Sequence, residues 1–287
     1  MYSYLKPEDD RLPMREAGVW ARRKLDYLAR YIAVFEASMR GKWQVRNYVD
    51  LLAGPGKNRI RGTATVLLGS PLLALTTQYP FTGYYFVEFG RRNAEALRQR
   101  CHAWADPARI HIHPGDCNLL VDRIVAELKH DGGRSLNLAF LDPEGLELHW
   151  ATVAKLASVR RMDLILNYPQ NALTRNIRQA FLSTVETAVD RFFGDRGWRV
   201  IYDEWQRTRR FPIHRRLIDW YKSRLGALGY QDVRGGDEIG DEPLMRNARR
   251  RAPLYRLLFA SKHPLGAKFW DDVTKRDVHG PRRLFER

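Results

Sequence analysis

The sequence has few cysteines and no long apolar run. Cys101 and Cys117 are the two cysteines among 287 residues, too few for a disulfide framework or for a zinc site built from cysteine pairs. No window approaches the roughly 18 apolar residues that span a bilayer. The polar start MYSYLKPEDD has no apolar stretch ahead of a small-residue cleavage site. We therefore expect a cytoplasmic protein that is neither secreted nor membrane-spanning.

Positive charge is in clear excess. The chain carries 49 Lys+Arg and 33 Asp+Glu, a formal net charge of +16, and most of the excess lies in residues 191–287. A basic region attracts polyanions and releases counterions when it meets phosphates. This charge predicts a nucleic-acid partner, and the alternative is an arginine-rich surface that only keeps the protein soluble. The candidate contacts in this region are Arg209, Arg210, Arg249 and Arg250.

Predicted helices and strands alternate along the chain. Apolar residues at three- and four-residue spacing indicate an amphipathic helix from Val19 to Met39. Five apolar strands follow, each succeeded by a helix, and this rhythm favours a mostly parallel sheet with helices on both faces. The predicted strands span residues 47–52, 83–88, 109–113, 136–141 and 163–167, and a further strand is expected at 255–260.

We interpret residues 1–287 as a single α/β domain. An N-terminal helical segment (1–46) precedes the core (47–193), and a basic, helix-containing C-terminal part (194–287) completes the sheet. The helix after the fifth strand is predicted to run from Thr174 to Phe193, and Ser70 is predicted to cap a helix that starts at Pro71.

Polar side chains stand at or near the ends of all five predicted core strands. They are Asp50, Glu88, Asp116, Asp142 and Asn167. In open parallel sheets, ligands bind outside the carboxyl ends of the strands. A carboxylate at such a position must be paired, solvated or bonded to a ligand. The pattern therefore predicts that this edge of the sheet holds a polar ligand.

The glycine turn Gly54-Pro55-Gly56 excludes two common nucleotide sites. A phosphate loop needs Ser or Thr after Gly-Lys, but Asn58 follows Lys57. A dinucleotide site needs a third glycine where Arg59 stands. What remains is an acid four residues before a glycine pair, with a second acid at the end of the next strand.

Several runs of residues resemble known motifs. YVDLLAGPG (48–56) resembles the S-adenosylmethionine-binding turn of class I methyltransferases. Together with the runs given at the end of this paragraph, it resembles the three-Cys-motif partner (TcmP) family over most of the chain. This resemblance implies a Rossmann-like class I methyltransferase fold, S-adenosyl-L-methionine as cofactor, and a radical-SAM-like three-Cys-motif protein as a possible partner. The further runs are GSPLLAL (69–75), GDCN (115–118), LAFLDPEG (138–145), DLILNYP (163–169) and LLFASKHP (257–264).

The resemblance implies a role for each cofactor-side residue. Ala53, Gly54 and Gly56 would bring the backbone close to the cofactor, or form a plain turn. Asp50 would hold this turn or bind the ammonium of the cofactor. Glu88 would accept hydrogen bonds from the ribose, or form a surface ion pair.

The adenine edge would be met by two residues of the GDCN run. Asp116 would make this contact with Cys117 beside it, although a cysteine there is more typical of packing than of chemistry.

The catalytic candidates follow the fourth and fifth strands. Methylases of amino nitrogens resemble one another in an Asp/Asn-Pro-Pro-aromatic loop, whose side chain and carbonyl accept the amine's hydrogens. The present chain has Asp142-Pro143-Glu144-Gly145, without the second proline and the aromatic residue. We expect Asp142 to be a hydrogen-bond acceptor near the transferred methyl, or to shape the loop with Pro143. Asn167 and Tyr168 offer an amide and a ring, and the ring either stacks on a substrate or packs in the core.

Further basic residues are candidate substrate contacts. Arg59 and Arg61 lie in a predicted loop from Lys57 to Gly69, which would cover the cofactor or serve as a flexible connection. Lys262 and His263 follow the late strand, and the histidine is a candidate base or phosphate contact, or a structural residue. His111 and His113 have no third ligand nearby, and no metal site is expected.

The sequence thus favours an S-adenosylmethionine-dependent methyltransferase that acts on a nucleic acid or a similar polyanion. Two alternatives remain open. One is an accessory nucleic-acid-binding partner of a radical-SAM-like three-Cys-motif protein. The other is a methyltransferase of proteins or small molecules.

Overall fold

The computed structural model describes residues 5–104, 106–130, 132–233, 243–247, 251–277 and 280–281. The described helices are α1 (Trp20–Met39), α2 (Ser70–Leu75), α3 (Arg91–Cys101), α4 (Cys117–Lys129), α5 (Trp150–Ala157), α6 (Gln170–Leu182), α7 (Ala188–Phe193), α8 (Trp198–Thr208), α9 (Ile213–Ala227) and α10 (Pro264–Thr274). The described strands are β1 (Arg15–Ala17), β2 (Arg46–Asp50), β3 (Lys57–Ile60), β4 (Val66–Leu68), β5 (Gly83–Glu88), β6 (Ile110–Pro114), β7 (Leu136–Leu141), β8 (Met162–Tyr168), β9 (Asp232–Val233), β10 (Leu244–Arg246), β11 (Pro253–Ser261), β12 (Arg276–Asp277) and β13 (Gly280–Pro281).

The central sheet has the order β6-β5-β2-β7-β8-β11-β10, with β9 paired to one end of β11. The first five strands are parallel, as the sequence predicts. Strand β11 runs antiparallel to both β8 and β10. Numbered along the chain from β2, and with the short β9 left out, the order is 3-2-1-4-5-7-6. The order reverses between β2 and β7, and this switch point is where open α/β sheets bind ligands.

Two apolar cores cover the two faces of the sheet. Tyr48 and Phe140 point to the face covered by α1, α2, α3 and α10. Val49 and Leu141, their neighbours in sequence, point to the face covered by α4 to α9. This alternation follows from the two-residue period of a strand. It explains why apolar residues occupy consecutive positions within the central strands, as in LAFL (138–141) of β7 and LIL (164–166) of β8.

The segment from Lys57 to Gly69 is not the loop that its Arg, Gly and Thr content predicts. Strands β3 and β4 form a hairpin, and β1 adds to it in parallel through the pairing of Arg15 with Asn58. The turn of the hairpin is supported by the hydroxyl of Thr63, which donates to the carbonyl of Ile60 at 2.9 Å. Backbone pairing with a segment 40 residues earlier therefore replaces the expected loop.

Two helix boundaries also differ from the predictions. The expected helix from Thr174 to Phe193 is two helices, α6 and α7, and Thr187 begins α7 with a capping box that it shares with Asp190. Helix α2 starts at Ser70 itself, with Gly69 as its cap. The hydroxyl of Ser70 is therefore free to bond elsewhere. Helices α8 and α10 were not predicted.

A buried ionic cluster fastens the N-terminal segment to the glycine turn. Asp10 pairs with Lys57 at 2.8 Å and with Arg100 at 2.7 Å, and all three side chains are almost fully buried. Arg100 also donates to the carbonyls of Pro13 and Pro55. Burial alone would raise the pKa of Asp10, but the hydrogen bonds from Arg100 and Lys57 outweigh it and lower this pKa to about 2.

We expect Asp10→Asn to lower the free energy of unfolding at pH 7 by roughly 3 kcal/mol, because it leaves two buried cations without their anion. Since the pKa of Asp10 is lowered on folding, its contribution is complete above its unfolded pKa of about 3.9. The difference from the wild type should therefore shrink as the pH falls towards 2. Urea unfolding at pH 7, 4 and 2.5 measures it.

Asp9→Asn is the matched control. Asp9 is half exposed and pairs with Arg59 at the surface, so its loss should cost less than about 1 kcal/mol. Equal costs for the two variants would contradict a stabilising role of the buried cluster.

Candidate functional site

A cleft of about 260 Å³ opens at the carboxyl edge of the sheet, at the switch point between β2 and β7. One wall is the turn from Ala53 to Gly56, and the second is the Asp142-Pro143-Glu144 loop after β7. The N-terminal segment and the first turns of α1 form the roof, and α6 closes the far side. Parallel strands bring these loops together because their carboxyl ends share one edge. We call this space the cleft.

The glycine turn adopts a backbone that glycine favours. Gly54 has φ +66° and Gly56 has φ +91°. A Cβ on Gly56 would lie 3.0 Å from a methyl of Leu97 and 3.2 Å from Leu72. The turn is therefore packed against its own helices from behind and lines the cleft in front. Both conditions favour glycine at these positions.

Glu88 holds this turn from the neighbouring strand. Its carboxylate accepts hydrogen bonds from the N–H of Gly54 at 2.9 Å, the N–H of Gly90 at 3.0 Å and the amide of Asn93 at 3.1 Å. With 6% of its surface exposed, it is not the surface ion pair offered as the alternative. Glu88 does not itself line the cleft, so a ribose contact by this residue stays a prediction.

Asp50 supports the same turn from below. Its buried carboxylate accepts hydrogen bonds from the Ser70 hydroxyl at 2.6 Å and from the N–H of Leu52 at 3.2 Å. Burial raises the pKa of Asp50 to about 7, against the opposing effect of these bonds, and the negative charge of Asp142 adds to the rise. Of its two predicted roles, the structure supports that of holding the turn.

Asp116 and Cys117 lie beside the turn but outside the cleft lining. Asp116 caps α4, because its carboxylate accepts from the N–H of Asn118 at 2.7 Å. The Cys117 thiol is buried, and burial raises its pKa to about 12. Cys117 is therefore a packing residue, as the sequence favours, and not a nucleophile.

The predicted catalytic residues Asp142, Pro143 and Asn167 come together in the cleft. Asp142 forms an ion pair with Lys24 of α1, and the sequence does not predict this contact. The Asn167 amide nitrogen donates to Asp142 at 2.9 Å and to the carbonyl of Pro143 at 3.1 Å. Asn167 therefore ties two strand ends together, and Lys24 ties the N-terminal helix to them.

Two buried polar atoms of the cleft residues lack a partner within the part of the chain that the structure describes. They are the amide oxygen of Asn167 and the hydroxyl of Tyr255, whose ring lies beneath Lys24 with 5.0 Å between ammonium and centroid. Buried polar groups are nearly always hydrogen-bonded in native proteins. These two atoms therefore stand out among the polar groups of the cleft.

Tyr168 does not supply a stacking surface. Its ring is fully buried, packs edge-on against Phe192, and places its hydroxyl 3.3 Å from His214. Successive strand residues face opposite sides, so Tyr168 enters the core beneath α7 and α9 while Asn167 faces the cleft. The core-packing alternative is the one that the structure supports.

Lys262 and His263 lie at the wrong edge of the sheet for a substrate contact. Because β11 is antiparallel, its end pairs with the start of β8, as Ala260 does with Leu164. Lys262 donates to the carbonyls of Ala157 and Val159. His263 caps α10 by accepting from the N–H of Leu265 at 3.1 Å. Both residues are structural in this arrangement.

The remaining basic candidates lie in different parts of the structure. Arg61 lines the cleft mouth, whereas Arg59 pairs with Asp9 outside it. Arg209 and Arg210 are exposed in the segment between α8 and α9. Arg249 and Arg250 lie outside the described residues.

Three residues of the cleft carried no local signal in the sequence. Arg15, Lys24 and Arg175 line the cleft from β1, α1 and α6. Phe89 and Leu119, 78% and 80% exposed, follow β5 and begin α4. A large apolar residue directly after a predicted strand is the signal that could have identified Phe89.

The described residues contain neither a metal-binding cluster nor a helix that could span a membrane. Three or more metal-ligating side chains do not cluster anywhere among them. None of their helices combines the length and the apolar character needed to cross a bilayer.

Comparison with known proteins gives structural likeness only. The chain matches no family model and no curated protein. Solved structures similar to it include protein LPL1258 from Legionella pneumophila, at 10% identity and a TM-score of 0.48, covering 87% of this chain and 91% of that one. An O-methyltransferase from Bacillus cereus in complex with SAH is 11% identical, with a TM-score of 0.43 and coverages of 88% and 85%.

These superpositions are too loose to carry a functional argument, and the resemblance to the TcmP family stays a prediction. The strand order carries the fold assignment instead. The sheet is doubly wound in the order 3-2-1-4-5, and an antiparallel seventh strand lies between the fifth and the sixth. The protein therefore has the Rossmann-like α/β fold that the sequence predicts.

Proposed function

We propose that the protein is an S-adenosylmethionine-dependent methyltransferase whose cleft receives the amino-acid end of the cofactor. The observation that carries this proposal is the turn from Ala53 to Gly56, which lines a cleft at the switch point and is fixed there by Glu88. Glycines at positive φ let a ligand approach the backbone closely. The turn thus fits the cofactor that the sequence motif implies.

The nucleoside end would lie outside the cleft, beyond Glu88. Two large apolar side chains are exposed in this region. Phe89 directly follows Glu88 in the sequence, and Leu119 lies three residues after the capping residue Asp116. Exposed apolar side chains beside a polar site are typical of a surface that binds a flat ring. Three donors already occupy the Glu88 carboxylate, and it would accept one ribose hydroxyl at its remaining lone-pair site.

When bound, the cofactor supplies an electrophilic methyl group. The chain's own contribution is to align an acceptor, and such positioning can lower a barrier by roughly 7–11 kcal/mol. Lys24 and Asn167 hold Asp142 rigidly from two sides. This rigidity would keep the acceptor in one orientation.

The acceptor is not held as amino-methylases hold an amine. In those enzymes the amine bridges the acid and the carbonyl of the first proline, but here the Asn167 amide nitrogen bridges these two groups. The partnerless atoms are the Asn167 oxygen and the Tyr255 hydroxyl, as far as the described residues show. We propose that the acceptor donates a hydrogen bond to the Asn167 oxygen.

A nucleic-acid substrate is supported by a surface that adjoins the cleft. We call it the arginine ridge, and it consists of Trp205, Arg209, Arg210, Phe211 and Arg216. The Arg209 guanidinium lies 3.6 Å from the Trp205 ring centroid, and that of Arg216 lies 4.8 Å from Phe211. Aromatic rings interleaved with arginines bind bases by stacking and phosphates by charge.

Helix α9, which carries Arg216 of the ridge, contacts helix α6, which lines the cleft. His214, two residues before Arg216, lies 2.8 Å from the hydroxyl of Thr174 on α6. Arg175, the next residue of α6, lines the cleft. A strand bound along the ridge would therefore reach the cleft mouth, where Arg61 adds a further positive charge.

Calorimetry with S-adenosylhomocysteine tests the cofactor site. We expect the wild type to bind it and Glu88→Gln to bind at least about 10-fold more weakly, because one carboxylate oxygen that accepts a backbone N–H becomes an NH₂ group. Glu95→Ala, at an exposed acid on the adjoining helix α3, is the control and should bind normally. Absence of binding by a folded wild type would refute the methyltransferase proposal.

Transfer of a labelled methyl group tests catalysis. We expect transfer to tRNA or DNA, and a rate about 100-fold lower for Asp142→Asn, because this change breaks the ion pair with Lys24 and misplaces the acceptor. Affinity for S-adenosylhomocysteine should stay within about 3-fold. Equal losses of rate and affinity would assign Asp142 to shaping the loop. Binding of cofactor and nucleic acid without transfer would favour the accessory-partner alternative.

The salt dependence of binding to a 20-nucleotide single strand tests the ridge. We expect the double variant Arg209→Ala with Arg210→Ala to bind more weakly and to reduce the logarithmic salt slope by about 1.4, roughly 0.7 for each lost phosphate contact. Lys129→Ala with Arg160→Ala removes the same charge at the opposite edge of the sheet, and should leave the slope unchanged. A slope that both double variants reduce equally would reject a localised interface.

A further inference from the structure

The cleft contains an ion pair that neither the turn nor the catalytic loop requires. Arg15 of β1 and Glu144 of the loop after β7 meet at 3.1 Å, and both residues line the cleft. The Arg15 guanidinium lies directly over the glycine turn. A Cβ on Gly54 would lie 3.4 Å from its central carbon and 3.5 Å from its Nη2 nitrogen. A cation thus covers the turn that we propose binds the cofactor.

The backbone of Arg15 is fixed to the same turn. Arg15 pairs with Asn58 in the small sheet, two residues beyond the end of the turn. Two residues before Arg15, the carbonyl of Pro13 accepts from Arg100 at 2.9 Å, and Arg100 also donates to the carbonyl of Pro55. Because both attachments lead to the turn, the backbone that carries the guanidinium is held next to the turn.

Glu144 is a partner that can be exchanged. Its side chain is 68% exposed, whereas that of Arg15 is 28% exposed. Ion pairs with so much exposure are weak, since water solvates the separated charges nearly as well. A ligand carboxylate held against the turn can bind both nitrogens of the guanidinium fork. In that position it would displace the exposed carboxylate of Glu144.

The neighbouring cations of the cleft are less suited to this exchange. The ammonium of Lys24 is committed to Asp142, and both of these side chains are largely buried. Arg61 is mostly exposed at the mouth, with Glu16 at 4.0 Å. Arg15 is the cation that the structure places against Gly54.

We propose that Arg15 binds the α-carboxylate of the cofactor's amino-acid end and that Glu144 occupies Arg15 until the cofactor displaces it. The inference rests on the proposed function and adds the means by which the site selects its ligand. The site would favour nucleoside thioethers and sulfonium compounds that carry an α-carboxylate. Those that lack the amino-acid end would leave the Arg15–Glu144 pair intact.

Calorimetry of the full chain with two ligands tests this selection. S-adenosylhomocysteine carries the amino-acid end, and 5′-methylthioadenosine presents the same nucleoside without it. Arg15→Ala should weaken S-adenosylhomocysteine roughly 10- to 100-fold and change 5′-methylthioadenosine less than about 2-fold. Arg22→Ala removes an exposed charge of α1 that does not itself line the cleft, and should change neither affinity.

Two further variants keep the test decisive. Arg15→Lys retains the charge without the fork and should bind S-adenosylhomocysteine with intermediate affinity, which supplies the readout if Arg15→Ala fails to fold. Glu144→Gln removes the competing anion and should tighten S-adenosylhomocysteine about 2- to 5-fold, with no effect on 5′-methylthioadenosine.

The outcomes separate this inference from the proposed function. Loss of both ligands in equal measure on folded Arg15→Ala or Arg15→Lys, or weaker binding of S-adenosylhomocysteine by Glu144→Gln, would overturn the inference and leave the methyltransferase proposal standing. A folded wild type that binds neither ligand would overturn both.

Discussion

The hydrogen bond from the N–H of Gly54 to the Glu88 carboxylate is the contact on which the cleft depends. It joins the turn after β2 to the end of β5, the neighbouring strand of the sheet. Two more contacts hold the same turn, from Arg100 to the carbonyl of Pro55 and from the N–H of Gly69 to the carbonyl of Gly56 at 2.7 Å. Contacts from three directions fix a backbone that glycine would otherwise leave free. A ligand that uses this turn meets a surface that is already ordered, which reduces the entropy cost of binding.

The N-terminal segment completes the site from far away in the sequence. Lys24 reaches Asp142 and Arg15 reaches Glu144, each across more than a hundred residues. The buried pair of Asp10 and Arg100 anchors the segment that carries Arg15. One segment supplies both cations. The N-terminal roof of the cleft therefore contacts the glycine turn through Arg15 and the loop after β7 through Lys24 and Arg15. A change in the anchoring of this segment would alter both sets of contacts together.

The sequence predicts what local periodicity encodes. Strands β5 and β7 lie at the predicted residues, and the acids that follow from this assignment, Glu88 and Asp142, lie at the carboxyl edge of the sheet. Lys262 was misplaced because the direction of β11 depends on a pairing with β8 that no local pattern records. Arg15 was missed for the same reason, since β1 exists only through its pairing with β3. Tyr168 is different, because the two-residue period of the strand already places it on the face opposite Asn167.

Asn167 is the residue that most limits which acceptor the cleft can hold in the proposed reaction. Its amide nitrogen faces two oxygens, so a flipped amide would lose two hydrogen bonds and set oxygen against oxygen. The orientation is thereby fixed, and the Asn167 oxygen is left as a buried acceptor without a partner in the described part of the chain. A substrate that offers no N–H or O–H here would leave this oxygen unpaired, at a cost of about 1–3 kcal/mol. A difference of this size discriminates by about 10-fold or more between substrates. The Asn167 amide nitrogen thus occupies the place between Asp142 and the Pro143 carbonyl where an amine would bind, and the Asn167 oxygen favours an acceptor that can donate a hydrogen bond.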